Sequence, residues 1–188
     1  MKDTGKQTRA KIIQVIEDLV NEKSLDKISV REICQKANIA VGTFYIYFSS
    51  KEEALLYVYH QLDEQFKNLK LDQTPLENIK SILTTYYNMV DIEPLRVYRT
   101  LYSCHLNHYD NYYFDEKRDV FIVLFNEIEK MVQDKMQAKK ITWLILDFCR
   151  GRIFNFLIKY EENIVEWIDE QIILTIEYLH FLIERRLK

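Results

Sequence analysis

The stretch SVREICQKANIAVGTFYIYFSSKEEALL, residues 29–56, sets the architecture by itself. Ser29 stands three positions before Glu32 and just ahead of Ile33, a spacing in which a hydroxyl and a carboxylate cap each other's unpaired backbone amides at a helix start. This predicts a short helix over Val30–Ala37. Asn38 is the non-glycine residue best suited to the left-handed backbone that closes a helix, so a tight turn at Asn38–Ala40 redirects the chain into a second short helix, Val41–Phe48. Two short helices around a three- to four-residue turn form a helix-turn-helix.

Working outward, Ile12, Ile13, Ile16, Leu19 and Val20 recur at helical spacing, which places a first helix before this motif, ending near Lys23 and Ser24. After it, Ser49 and Ser50 precede Lys51, Glu52 and Glu53, an N-cap followed by first-turn acids. Leu55, Tyr59, Leu62, Phe66 and Leu69 then predict one long fourth helix to about Lys70. Asp72–Pro75 is the only obvious seam. Five more helices are expected, at about 75–90, 94–109, 111–136, 138–160 and 163–187. The expectation is an all-α protein of about nine helices: a three-helix head over 1–50, a connecting helix over 51–70 and a helical ligand-binding and dimerisation bundle over 71–188. Only 3 Gly and 2 Pro interrupt 188 residues, which suits long helices.

Charge is unevenly placed. Residues 1–51 carry nine Lys/Arg against six Asp/Glu, a surplus of three positive charges, while the rest carries 17 against 23. A basic head on an acidic body suits a phosphate-neutralising module attached to a regulatory one. The cysteines, Cys34, Cys104 and Cys149, are odd in number and widely spaced, which argues for a reducing compartment. The N-terminus lacks a signal pattern, and apolar runs such as Ile141–Leu146, broken by Thr142, are far below a membrane span, so a cytoplasmic protein with no membrane partner is expected.

Residues 29–56, with A-x-x-x-V-G-T-F-Y-x-Y-F-x-S-K-E-x-L inside them, closely resemble the DNA-binding segment of the tetracycline-repressor (TetR) family. The resemblance has motif strength over about 6–70; beyond that, length and helical pattern agree. It implies that Tyr45 and Tyr47 contact DNA and that Lys51 holds a phosphate at the start of helix four. The residues also make chemical sense. Phe44 and Phe48, four apart with Val41 near their side, face the head's core. Gly42 lets the helix approach a groove, Thr43 can bond a phosphate, and Tyr45 and Tyr47 suit thymine methyls and phosphate oxygens. Arg31 can grip a guanine edge or merely be solvated. Ser29, Arg31, Val41, Gly42, Thr43, Tyr45, Tyr47 and Lys51 form the expected DNA-binding set, with Lys2, Lys6 and Arg9 as flanking contacts or solvated charges. Asn38 replaces the family's usual Gly, and Ala40 a frequent Ser. Val41 and Ile46 offer bases no hydrogen bonds.

The last two expected helices are apolar on more than one side, which a chain this size buries most economically by self-association. Gly151, Phe154, Ile168, Ile172, Thr175 and Leu179 are the candidate dimer contacts, Gly151 allowing a close helix approach. Seven of the 13 tyrosines lie at Tyr86, Tyr87, Tyr98, Tyr102, Tyr109, Tyr112 and Tyr113. Such rings wall a pocket for an aromatic, cationic or amphipathic ligand, or simply pack. Tyr87, Tyr98, Tyr102 and His105, with Phe125 and Phe148 as wall, are the ligand candidates. Cys104 and His108 are four apart but too few for a metal, so no metal or cofactor is expected. Without a Gly-rich phosphate loop or nucleophile elbow, an enzyme is not expected. The leading expectation is a homodimeric repressor that binds a palindrome in double-stranded DNA and is released by a small molecule. The alternative is a helix-turn-helix-derived protein-interaction module or co-activator that does not bind DNA directly.

Overall fold

In the computed structural model, which describes residues 3–92, 94–108, 110–159 and 163–185, the described residues form α-helices and short 3-10 turns and no strand. Lys2 and Tyr109, named above, lie outside them. The chain divides into two units, one built from 1–61 and 93–111, the other from 62–92 and 112–188.

The first unit contains α1 (Asp3–Glu22), a 3-10 turn (Leu25–Lys27), α2 (Val30–Ala37), α3 (Val41–Tyr47) and α4 (Lys51–Leu56). It also takes in the start of α5 (Val58–Asp63), and α7 (Leu95–Asn107), which follows α6 in the chain. Helix α1 packs on α2, α4 and α7 through Ile12, Ile13, Ile16, Leu19 and Val20, all buried. The local signals act as expected. The Ser29 hydroxyl accepts from the Glu32 amide at 3.2 Å, and Asn38 adopts φ 51°, ψ 52°. Phe44 and Phe48 are buried with ring centroids 6.0 Å apart. Val41 does not join them: it is exposed, because the core side of α3 is filled by the two rings.

The expected long fourth helix is interrupted. It stops at Leu56, resumes as α5, and gives way to a 3-10 turn over Glu64–Asn68. The first break falls at Tyr57, whose hydroxyl accepts from Arg9 Nη1 (3.2 Å) and whose ring stacks on His60 at 4.3 Å. The second falls at Asp63. Its fully buried carboxylate accepts from Arg118 Nη2 (3.0 Å), the Tyr112 hydroxyl (2.8 Å) and the Asp119 amide (2.7 Å). With α4 and α5 as halves of one helix, the described residues hold nine.

The second unit packs α6 (Pro75–Ile92), α8 (Asp119–Val132), α9 (Lys135–Lys159) and α10 (Ile164–Glu184) against one another. The single helix expected over 111–136 is instead a 3-10 turn, Tyr112–Phe114, followed by α8, which closes on Gln133 at φ 55°. Inside the unit Asn78 donates to Glu127 (3.1 Å), and the Tyr87 hydroxyl bonds Thr175 (2.8 Å). Helix α10 carries two apolar stripes, and the one containing Ile168, Thr175, Leu179 and Leu182 is buried within the unit. Ile168, Thr175 and Leu179 are therefore core residues of the unit itself and not candidates for contact with a second copy. Ile172 is half-buried and Gly151 exposed, and a Cβ added at Gly151 meets no atom within 4 Å. Apolar side chains left outside on the C-terminal half of α9 and on α10 are Phe154, Ile158, Val165, Ile173 and Phe181, besides Phe114, Ile122 and Met136 elsewhere in the unit. Among the described residues no helix is long and apolar enough to cross a membrane.

Candidate nucleic-acid interface

Helix α3 has one buried side and one open side. Phe44 is fully buried and holds the helix to the core. Val41, Gly42, Tyr45 and Ile46 are exposed, and they are adjacent on a helical surface because 41 and 45, and 42 and 46, are four apart. Exposure rises along this face: 40% for Val41, 55% for Tyr45 and 77% for Ile46. Thr43 and Tyr47 flank it, half-buried. A Cβ at Gly42 meets nothing within 4 Å, so the protein itself does not require a missing side chain there. Ser29 lies exposed at the cap of α2. Arg31, exposed in the first turn of α2, has no hydrogen bond or ion pair among the described residues.

Lys51, expected to hold a DNA phosphate, and Arg9, read as either a flanking contact or a solvated charge, are both engaged within the protein. Lys51 Nζ donates to the carbonyls of Leu25 (2.7 Å) and Ile28 (2.8 Å), closing the turn between α1 and α2, and its side chain is only 19% exposed. Hydrogen bonds from an ammonium to paired carbonyls are stronger than neutral ones, so this clasp fixes α4 to that turn. Arg9 lies within 6 Å of the Tyr47, Phe48 and Tyr57 rings, 5.0 Å from the last, besides its bond to the Tyr57 hydroxyl. Arg9's cage was not read from the sequence, because it joins residues 38 to 48 positions apart, whereas the outward position of Ile46 follows from the wheel that buries Phe44.

The acids of this unit are also placed. Glu32 takes Lys23 on both carboxylate oxygens at 2.7 Å, and that bond, aided by Lys36 and the Ser29 backbone, holds its carboxyl below the usual range. Glu53 accepts from the Ser49 amide (2.7 Å) while the Ser50 hydroxyl accepts from the Glu53 amide (3.0 Å), a reciprocal cap on α4. Neither carboxylate faces outward from α3, where it would repel phosphates.

The ligand candidates are divided. Tyr98 (buried), Tyr102 and His105 (half-buried) lie on α7 in the first unit, with the His105 ring 4.8 Å from Tyr59. Tyr87, Phe125 and Phe148 lie in the second. There the Tyr87 hydroxyl is committed to Thr175, Phe125 stacks on Phe121 at 6.1 Å, and Phe148 lies 5.0 Å from Tyr178. Burial pushes the Cys104 and Cys149 thiols up to about 11. Among the described residues no three His, Cys, Asp or Glu side chains converge as a metal requires.

Comparison with known proteins follows the same line. The family described as "Bacterial regulatory proteins, tetR family" matches residues 12–58, the segment containing α2, α3 and α4. Over 174 residues the chain is 30% identical to an uncharacterized HTH-type transcriptional regulator, YvdT, of Bacillus subtilis, covering 82% of this chain and 86% of that one. An HTH-type transcriptional regulator of Staphylococcus aureus is 23% identical over 88% of this chain and 90% of its own length. Among solved structures, a TerR/AcrR family regulator from Aquifex aeolicus superposes with a TM-score of 0.58 at 24% identity, over 87% of this chain and 95% of that one. FadR of Bacillus subtilis in complex with stearoyl-CoA superposes with a TM-score of 0.59 at 14% identity, over 89% and 97%.

Proposed function

This chain belongs to the tetR family of bacterial regulatory proteins, DNA-binding transcription regulators of the helix-turn-helix type, and from that premise we propose that it is a dimeric repressor of a palindromic operator, released by a small molecule. The observation that carries the DNA reading is the open side of α3: Val41, Gly42, Tyr45 and Ile46 outward, with Phe44 anchoring the helix behind them. A helix held rigidly by one face and bare on the other is what a major groove admits. Two such helices, one helical turn of DNA apart, read a palindrome.

Pairing of two copies covers apolar side chains that α10 and the C-terminal half of α9 leave outside, Phe154, Ile158, Val165, Ile173 and Phe181. For the effector, Phe125 and Phe148, half-buried in the second unit, are better wall candidates than Tyr87, whose hydroxyl is already bonded. The test is fluorescence anisotropy with duplexes from the DNA flanking the protein's own gene. The wild type is expected to bind and Tyr45→Ala to lose binding, and addition of stearoyl-CoA, the ligand of the FadR relative, is the first trial of release. Failure to bind any such duplex while folded and dimeric overturns the proposal and leaves the protein-interaction alternative.

A further inference from the structure

The open side of α3 holds almost no hydrogen-bonding chemistry. Val41 and Ile46 are aliphatic and Gly42 has no side chain, so the Tyr45 hydroxyl is the single side-chain polar group on a face that elsewhere would carry Arg, Asn or Gln for base edges. Ile46 is 77% exposed, the most outward residue of α3, and Val41 is 40% exposed on the adjoining column. Gly42 lies between them with open space above it, so the helix backbone can sink until both aliphatic chains touch the groove floor. That floor has one apolar feature, the C5-methyl group of thymine.

We infer that α3 reads sequence through an apolar ridge of Ile46 and Val41 laid on thymine methyl groups, so that the half-site recognised is A·T-rich and defined by methyls, not by hydrogen-bonded guanines. This rests on the DNA-binding reading above and names what that site selects. Tyr45 divides the ridge and directs its hydroxyl to a phosphate or base edge. Arg31, on the neighbouring helix, is the competing device, since a guanidinium on guanine would give the opposite, G-containing preference.

Uracil differs from thymine by that methyl alone. The full-length protein is used to select duplexes from a random pool, and the tightest binder is remade with uracil for thymine at one position at a time. Covering one methyl is worth about fourfold in affinity. The expected result is a loss of about that size at one or two thymines per half-site, with the effect absent in Ile46→Ala or Val41→Ala. Both replacements are at exposed positions, and an unchanged far-ultraviolet spectrum verifies the fold. In Ile46→Asn the preference at the corresponding position moves from thymine toward adenine. Tight, sequence-specific binding that no uracil substitution weakens overturns the inference while leaving the DNA-binding reading in place, as does a uracil effect that persists undiminished in both alanine variants. Selection of no duplex at all overturns both.

Discussion

Lys51→Met separates two roles for one ammonium group. The replacement keeps a flexible stem and removes the donor that bonds the Leu25 carbonyl at 2.7 Å and the Ile28 carbonyl at 2.8 Å. Hydrogen bonds to charged groups contribute about 1.5–3 kcal/mol. Water reaches part of this site, as the 19% exposure of the side chain shows, so the expected cost is near the lower end, about 2 kcal/mol in total. That lowers the folding constant about 30-fold and, for a chain of this size, the Tm by about 4–8 °C. Were the ammonium instead to neutralise a DNA phosphate, its loss would reduce the slope of log affinity against log salt by about 0.9 for each head. The assays are urea unfolding followed by helical circular dichroism, and salt-dependent anisotropy on a selected duplex at a temperature where the variant is folded. The reasoning predicts a lower urea midpoint with the salt slope unchanged. An unchanged midpoint with a slope reduced by about 0.9 per head would refute it.

Asp63→Ala strands the Arg118 guanidinium, which is 4% exposed, and is expected to cost about 3–5 kcal/mol in urea unfolding, whereas Asp63→Leu with Arg118→Met recovers most of the loss. A single replacement costing under about 1 kcal/mol would show the pair to be dispensable. Because burial raises Cys104 and Cys149 to about 11, roughly one such thiol in a thousand is ionised at pH 8. Iodoacetamide should therefore label neither at pH 8 until denaturant is added. The raised values also set a sign: stability from keeping these thiols protonated is whole below about pH 8.5, the unfolded value, and is lost as pH rises toward 11. A flat urea midpoint from pH 8 to 10.5 contradicts that. At Asn38, φ 51° favours Gly and penalises a β-branched residue, so Asn38→Val should destabilise by about 1–2 kcal/mol and Asn38→Gly by much less; equal midpoints would mean the turn does not constrain this residue.

The parts of the fold that were legible rest on neighbours in sequence. Ser29 and Glu32, Asn38, and the Phe44 and Phe48 pair each act over three or four residues, and the helix-turn-helix boundaries followed from them almost to the residue. The breaks in helix four were not legible, and they fall at residues whose partners are distant in sequence: Tyr57 is held by Arg9, 48 positions away, and Asp63 by Arg118, 55 away. The Leu55, Tyr59, Leu62, Phe66 spacing survives the breaks, since all four side chains are buried, which is why the pattern read as one helix. In α10 both stripes are apolar, so periodicity alone does not say which faces the protomer's own core. At the interface the aromatic anchor and the bare face were legible, but the loss of Lys51 and Arg9 to internal partners was not, because their acceptors lie on other elements.

Whether the outer face of α3 meets the double helix is measured most directly by crosslinking from that face. A photoreactive benzoylphenylalanine placed at position 46, and in a separate protein at position 173 on α10, is irradiated with a selected duplex. A covalent protein–DNA product is expected from position 46 and none from position 173. Binding that persists with no crosslink from position 46 would contradict that contact.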